Sequence, residues 1–119
     1  SSKSWDGSKL TSYGEGEPEV TILKVIVPPG KNVETHKHPV INAAILLRGE
    51  ITVYAVTGEK IVLKAGDPIV ELVDKWHYGL NSGDGTAEIL VFYAGIKDKP
   101  LSIKNKQSGA LTKSVTVRV

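Results

Sequence analysis

The sequence predicts an all-β fold in which short strands close into a sandwich or a barrel. Short runs rich in Val, Ile, Leu, Thr and Tyr recur along the chain, and segments rich in Gly, Pro, Asn and Asp separate them. No segment keeps apolar residues at helical spacing. Regularly spaced strands without helices are typical of β-sandwiches and β-barrels, because both architectures bury one face of each strand.

The predicted strands follow one another at short intervals. Pro28, Pro29 and Gly30 end the first strand, and residues 57–59 form the turn of a hairpin. The predicted strands comprise residues 20–27, 33–38, 42–47, 51–56, 60–64, 69–73, 76–80 and 87–93.

The chain divides by composition into an arm, a barrel and an extension. The predicted boundaries are residues 1–18 for the N-terminal arm, 19–96 for the barrel and 97–119 for the C-terminal extension. Trp5, Leu10 and Tyr13 are the candidate anchors of the polar arm. The last residues, 114–119, alternate like a strand that pairs with a sheet edge or with a neighbouring protomer, and a mobile tail is the alternative.

The composition excludes several classes of function. Lys and Arg number 15 and Asp and Glu number 13, which predicts neither a nucleic-acid-binding nor a membrane-binding surface. No apolar run approaches the ~20 residues that span a bilayer. Cysteine is absent, so disulfides, thiolate metal sites and a cysteine nucleophile are excluded. If Ser1 is the mature end left by signal-peptide removal, the protein is periplasmic or secreted.

Two predicted strands are apolar on both faces. Residues 43–47 and 89–93 are apolar at consecutive positions instead of alternating. One face of each strand can fill the barrel, whereas the other needs a cover. A homodimer is therefore expected.

The chain contains three histidines, His36, His38 and His77. If residues 33–38 form a strand, His36 and His38 project from the same face, because side chains two apart on a strand point the same way. Imidazole is a good ligand for zinc, copper, iron and nickel. A His-x-His pair also occurs on exposed strands without a metal, and a single histidine is often a surface or hydrogen-bonded core residue, so both interpretations stay open at this point.

Glycines and asparagines at regular spacing surround these histidines. The first stretch contains Gly30, five residues, His36, one residue, His38, three residues, Asn42, six residues and Gly49. The second stretch contains Gly66, five residues, Leu72, one residue, Asp74, two residues, His77, three residues and Asn81. This pair of stretches resembles the two signature motifs of the cupin superfamily, and the resemblance covers most of residues 20–95.

The resemblance implies a cupin-type jelly-roll β-barrel that binds one divalent metal ion through His36, His38 and His77. Zn, Fe, Mn and Ni are the candidate ions. The motif glycines are expected at tight turns whose backbone angles oppose side chains. Asn81 is expected to support a turn and not a metal.

The sequence departs from the cupin pattern at Asn42, where the family usually has a glutamate ligand. Asn42 can offer only a neutral carbonyl oxygen, directly or through water, and is an optional fourth ligand. A metal held by neutral ligands keeps its double charge, which favours Lewis acidity and anion binding. The alternative is an affinity so low that the site stays empty. Leu72 and Asp74 replace the proline and glycine that usually precede the third histidine.

Three further residues are candidates for catalysis or for support of the metal ligands. Tyr54, Tyr93 and Glu71 lie on predicted strands that could face the barrel interior, where a phenol or a carboxylate can serve as an acid or a base. The alternative is that the tyrosines pack with satisfied hydroxyl groups and that Glu71 is solvated. Glu34 is expected near the barrel mouth, as an inward or a rim carboxylate.

Two functions are consistent with this pattern. The first is a metal-dependent enzyme of dioxygenase or isomerase type, which acts on a small oxygenated or carboxylate-bearing molecule. The second is a non-catalytic cupin that binds a sugar or a small anion in the same pocket. A purely structural role without metal is a third possibility, because one fold supports many functions.

Overall fold

The computed structural model describes residues 1–105 and the backbone of residues 113–118. All regular secondary structure in this part of the chain is β. The strands are β1 (Pro18–Val27), β2 (Asn32–Lys37), β3 (Ile41–Arg48), β4 (Glu50–Ala55), β5 (Lys60–Lys64), β6 (Pro68–Val70), β7 (His77–Leu80), β8 (Ala87–Ile96), β9 (Ile103–Lys104) and β10 (Lys113–Arg118). Within these residues, no helix is long and apolar enough to cross a membrane.

The strands form two five-stranded sheets that face each other. One sheet has the order β10-β1-β8-β3-β6, and the other has the order β5-β4-β7-β2-β9. All pairings within the sheets are antiparallel, including the predicted hairpin of β4 and β5. The all-β jelly-roll prediction is therefore confirmed.

The strand ends differ from the prediction mainly around the second histidine stretch. The strand predicted at residues 69–73 ends at Val70, and the one predicted at 76–80 begins at His77. Asp74, in the loop between them, has a φ of 55° although it is not glycine. Aspartate tolerates this left-handed conformation better than most residues do. The cupin turn is thus kept without its usual glycine.

A β-bulge in β2 determines which residues face the interior. Val33 pairs with Gly79 and His36 pairs with His77, so three steps along β2 match two steps along β7. Under strict alternation, Val33 and His36 would point to opposite faces. The extra residue turns both toward the interior, as bulges near functional sites often do.

The interior between the sheets is largely apolar. One cluster of buried side chains consists of Val27, Leu46, Ile51, Val53, Leu63, Ile69 and Ala87. Asn81 is buried beside it, where its amide donates to the carbonyl groups of Val27 (2.9 Å) and Gly85 (2.8 Å) and accepts from the Gly83 amide (3.0 Å). Asn81 therefore supports a turn, as predicted.

The N-terminal arm packs against the first sheet through Trp5. The backbone amide of Trp5 donates to the Val70 carbonyl at 3.0 Å, and its ring packs against the apolar cluster. Lys75 and Asp6 form an ion pair of 2.8 Å that holds the same segment. Tyr13 is 74% exposed, so the prediction that it anchors the arm was wrong.

The C-terminal strand β10 pairs with β1 of the same chain. The sequence left open whether this strand joins its own sheet or a neighbouring protomer, and the observed pairing is with its own sheet. Residues 106–112 and Val119 of the predicted extension lie outside the described residues.

Candidate metal centre

The three histidines converge at one end of the interior. His36 lies near the end of β2, His38 follows that strand, and His77 begins β7. Their ligand nitrogens all lie within 4.8 Å of one another, and the Nε2 atoms of His36 and His38 are 3.1 Å apart. Ring centroids are separated by 4.3 to 5.1 Å. The bulge in β2 and the closure of the two sheets bring together residues that are 41 positions apart, His36 and His77.

Each histidine ring is oriented by a backbone carbonyl. The Nδ1 atom of His36 lies 2.6 Å from the Glu34 carbonyl oxygen, that of His38 2.9 Å from the Leu101 carbonyl, and that of His77 2.8 Å from the Lys75 carbonyl. A carbonyl oxygen can only accept, so Nδ1 carries the proton in each ring. A neutral imidazole has one N–H group, so in the neutral form of each ring Nε2 is left with a lone pair.

Burial keeps the first two histidines neutral. Desolvation lowers the pKa of His36 to about 4, and the neighbouring His77 adds to the shift. Desolvation, together with His36 and His77, lowers the pKa of His38 to about 3. Neutral imidazole is the form that ligates metals. Both rings are therefore ready to bind a cation near neutral pH.

The donor set fits a metal ion. Nε2 of His77 is buried and has no hydrogen-bond partner in the structure. Because Nδ1 carries the proton in each ring, the 3.1 Å approach of the His36 and His38 Nε2 atoms is a meeting of two lone pairs and not a hydrogen bond. Three Nε2 atoms that point into one space are a suitable donor set for a cation, and hydrogen bonds from the far ring nitrogens to carbonyl groups are the usual support of metal-binding histidines.

Glu71 stands beside this cluster, in the loop that follows β6. Its Oε2 atom is 3.6 Å from Nε2 of His77, and its side chain is only 14% exposed. Its other carboxylate oxygen accepts hydrogen bonds from Trp5 Nε1 and from the Leu72 amide, both at 3.0 Å. Glu71 is therefore not a solvated residue on an exposed face, which was one of the two alternatives for it.

The histidines line a narrow cavity of about 90 Å³ between the two sheets. Its walls are mostly apolar and include Val25, Ile51, Val53, Ile89 and Val91. A second concavity is also lined by His36 and His38. Glu34 lines this second concavity, where it pairs with Lys104 at 2.8 Å.

Asn42 and Tyr93 line the same cavity as the histidines and Glu71. Asn42 is buried, and its Nδ2 atom has no hydrogen-bond partner in the structure. In this orientation Asn42 offers a donor, which suits an oxygen atom of a bound molecule better than a cation. Tyr93 packs against His38, and burial, assisted by the charge of Glu71, raises its pKa to about 12. Its hydroxyl group is therefore protonated at neutral pH.

Tyr54 lies away from the cavity, which corrects the idea that it faces the interior. It pairs with Tyr78 across β4 and β7, and the two rings stack at 5.0 Å on the outer surface of the sheet. Ile51 and Val53 have the inward parity on this strand. Trp76, the other neighbour of His77, lies under the Lys37 ammonium at 4.8 Å.

Two contacts of the site were not predicted from the sequence. The Leu101 carbonyl that orients His38 comes from the C-terminal extension, and the indole that holds Glu71 comes from the N-terminal arm. A backbone carbonyl has no sequence signal. Trp5 was identified as an anchor, but its polar contact depends on the docking of the arm.

Comparisons with known proteins agree with this architecture. The profile of the cupin domain matches residues 23–93. No curated protein matches the chain at the level of significance required. Among solved structures, an oxalate oxidase in complex with glycolate has 22% identity and a TM-score of 0.62, over 71% of this chain and 45% of that one. This chain thus spans less than half of the oxalate oxidase.

Two bacterial structures are also similar. An uncharacterized conserved protein with a double-stranded β-helix domain from Klebsiella pneumoniae is 21% identical, with a TM-score of 0.64, over 84% of this chain and 99% of that chain. A predicted oxalate decarboxylase from Thermotoga maritima is 27% identical, with a TM-score of 0.55, over 61% and 64%. The domain match covers more than half of the sequence and both histidine stretches, so this chain belongs to the cupin family.

Proposed function

We propose that this protein binds one divalent metal ion through His36, His38 and His77, and that it binds or transforms a small oxygenated or carboxylate-bearing molecule beside that ion. The observation that carries the proposal is the convergence of three Nε2 lone pairs, each set by an Nδ1–H bond to a carbonyl. Zn, Fe, Mn and Ni all accept such imidazole donors.

The cavity favours a small ligand with oxygen atoms. A volume of about 90 Å³ has room for a molecule of a few heavy atoms. The Asn42 amide and the protonated Tyr93 hydroxyl are donors for its oxygens. A bound divalent metal supplies Lewis acidity toward such oxygens. The similarity to a predicted oxalate decarboxylase supports a small carboxylate as the first class to test.

A non-catalytic binding function is the second candidate. The apolar walls of the cavity leave few groups for proton transfer, and Tyr93 is a weak acid because its pKa is raised. A cupin that holds a small anion or a sugar needs only the metal and the donors. Product analysis after incubation with small carboxylates separates this function from catalysis of dioxygenase or isomerase type.

We further propose that two copies pair through the outer face of the first sheet. Phe92 and Ile45 are 44% and 38% exposed on this face, and Ile22 and Ala43 flank Phe92 on the neighbouring strands. A contiguous apolar surface of this kind is typical of a protein–protein contact. A second copy of this chain, bound through the same face, would bury this apolar surface.

Metal analysis of protein purified without a nickel column tests the central proposal. We expect about one equivalent of metal in the parent protein and a loss of at least 10-fold in affinity in His36→Ala and His77→Ala, because each variant removes one of three ligands. Tyr54→Phe, on the outer surface, is the control and should bind like the parent. A folded parent that binds no divalent metal would contradict the proposal.

A further inference from the structure

We propose that Glu71 is the anionic fourth ligand of the metal centre and that the N-terminal arm holds it in place through Trp5. This inference rests on the proposed function, because it requires that the three histidines bind a divalent metal. Cupins usually carry their carboxylate ligand within the first histidine stretch. Glu71 lies outside that stretch.

The position of Glu71 corresponds to that of the missing carboxylate, one strand away. Ala43 pairs with Val70, and the Glu71 amide donates to the Asn42 carbonyl at 3.0 Å, so Glu71 stands directly beside Asn42 on the neighbouring strand. Asn42 and Glu71 line the same cavity as the three histidines. A carboxylate from the residue that follows β6 therefore reaches the site that a glutamate at position 42 would serve.

The Glu71 side chain is fixed with one oxygen turned away from the metal centre. Oε1 accepts hydrogen bonds from both Trp5 Nε1 and the Leu72 amide, and the Glu71 carbonyl accepts one from Ser4 Oγ at 2.9 Å. Oε2 is left to face His77. Such bonds orient a ligating carboxylate in the way that carbonyl groups orient the histidines.

A positive charge makes the contact between Oε2 and His77 favourable, and a metal ion bound between the two atoms supplies one when the His77 ring is neutral. In the neutral ring, whose Nδ1 donates to the Lys75 carbonyl, Nε2 of His77 carries a lone pair, and a carboxylate oxygen carries another. Their separation is 3.6 Å. Two ligands that each lie ~2.0–2.2 Å from one ion are separated by roughly 3.0–3.6 Å, depending on the angle at the metal.

A fourth anionic ligand changes the charge expected of the site. Three histidines alone leave the full double charge on a divalent ion, whereas Glu71 reduces the net charge of the centre to +1. A metal centre that includes Glu71 would then bind a dianion less tightly than a centre with only the three neutral histidines would. The absence of a carboxylate at position 42 is thus offset by Glu71.

Titration with Zn²⁺ and the visible spectrum of the Co²⁺-loaded protein test the assignment in Glu71→Gln. This variant keeps the size of the side chain and the acceptor for Trp5, and its amide can donate to His77 Nε2. We expect Zn²⁺ affinity to fall by about 10- to 100-fold and the Co²⁺ spectrum to change. The melting temperature of the metal-free variant should equal or exceed that of the parent, because the repulsive contact between Glu71 and Nε2 of neutral His77 is replaced by a hydrogen bond.

Two further variants separate ligation from general charge and from packing. Trp5→Phe removes the N–H donor and keeps most of the ring packing, so we expect a smaller loss of affinity, a shifted Co²⁺ spectrum and an unchanged fold. Glu34→Gln removes another carboxylate near His36, one that is paired with Lys104, and should change Zn²⁺ affinity by less than about threefold.

The results distinguish this inference from the function on which it rests. Loss of Zn²⁺ binding in His77→Ala together with parental affinity and an unchanged Co²⁺ spectrum in Glu71→Gln would overturn the role of Glu71 alone. An equal loss in Glu34→Gln would also overturn it, since the effect would then be one of charge at a distance. A parent protein that binds neither Zn²⁺ nor Co²⁺ would overturn both.

Discussion

At the scale of single residues, hydrogen-bond donors and acceptors determine what the site can bind. The sequence identified the three histidines, but only the structure shows that their Nδ1 atoms contact carbonyl oxygens and that Nε2 is the free atom in each. The sequence also identified Asn42 as an unusual residue. Its unpartnered Nδ2 could not be predicted, because the direction of an amide depends on neighbours from other strands.

Asn81 provides a residue-scale prediction about stability. Asn81→Ala leaves two carbonyl groups and one amide without their buried partner, and we expect the free energy of unfolding to fall by about 2–4 kcal/mol. Urea unfolding of the metal-free protein measures this. Ser82→Ala, at the exposed neighbouring position, should change the free energy by no more than about 0.5 kcal/mol. Equal effects of the two substitutions would contradict a structural role for Asn81.

At the scale of elements, the positions of strands along the chain were more predictable than their register. Apolar runs and turn residues placed the strands from β1 to β8, and the hairpin of β4 and β5 needed only local information. The bulge in β2 was not predictable, because it depends on pairing with β7. Strict alternation along β2 correctly predicts that His36 and His38 point to the same face. It wrongly predicts that Val33 points to the other face, away from the cavity.

The N-terminal arm provides a prediction about pH. Burial raises the pKa of Asp6, but hydrogen bonds from Lys75 and Ser8 outweigh it, and the pKa falls from 3.8 to about 2. Since the unfolded chain takes up the proton first, the stabilisation is complete above about pH 4 and is lost as the pH falls toward 2. Asp6→Asn should therefore destabilise the metal-free protein at pH 6, with a difference that shrinks between pH 4 and 2.

Thermal unfolding of the metal-free protein at several pH values checks this prediction. Glu17→Gln is the matched control, because Glu17 and Lys97 form a 3.5 Å ion pair whose side chains are both more than half exposed. Such surface pairs contribute little to stability. A pH-independent difference for Asp6→Asn would show that the ion pair with Lys75 is not the cause.

At the scale of the whole molecule, the fold was predictable from the sequence. The segments that orient the side chains of the site were not. Composition and strand spacing predicted a β-sandwich or a β-barrel, and the resemblance of the two histidine stretches to the cupin motifs implied a jelly-roll barrel with the histidines inside. The contacts of Trp5 with Glu71 and of Leu101 with His38 join the N-terminal arm and the segment after β8 to the centre. Contacts between segments so distant in sequence leave no local pattern.

The proposed dimer is a prediction at this scale. Phe92→Lys places a charge at the middle of the apolar face, and we expect the protein to change from a dimer to a monomer in analytical ultracentrifugation. Val62→Lys introduces the same charge on the outer face of the other sheet, where Val62 is 46% exposed, and should leave the dimer intact. A monomeric parent protein would contradict the proposed pairing.

The contacts of Trp5 and Leu101 with the histidine centre affect which substitutions can change the properties of that centre. The region that defines the family, residues 23–93, includes the three histidines and Glu71 but neither Trp5 nor Leu101. Replacement of a terminal segment would thus leave every proposed ligand in place while it released Glu71 or the His38 ring. We therefore expect that substitutions outside residues 23–93 change the metal preference of the proposed centre, without a change to any of its proposed ligands.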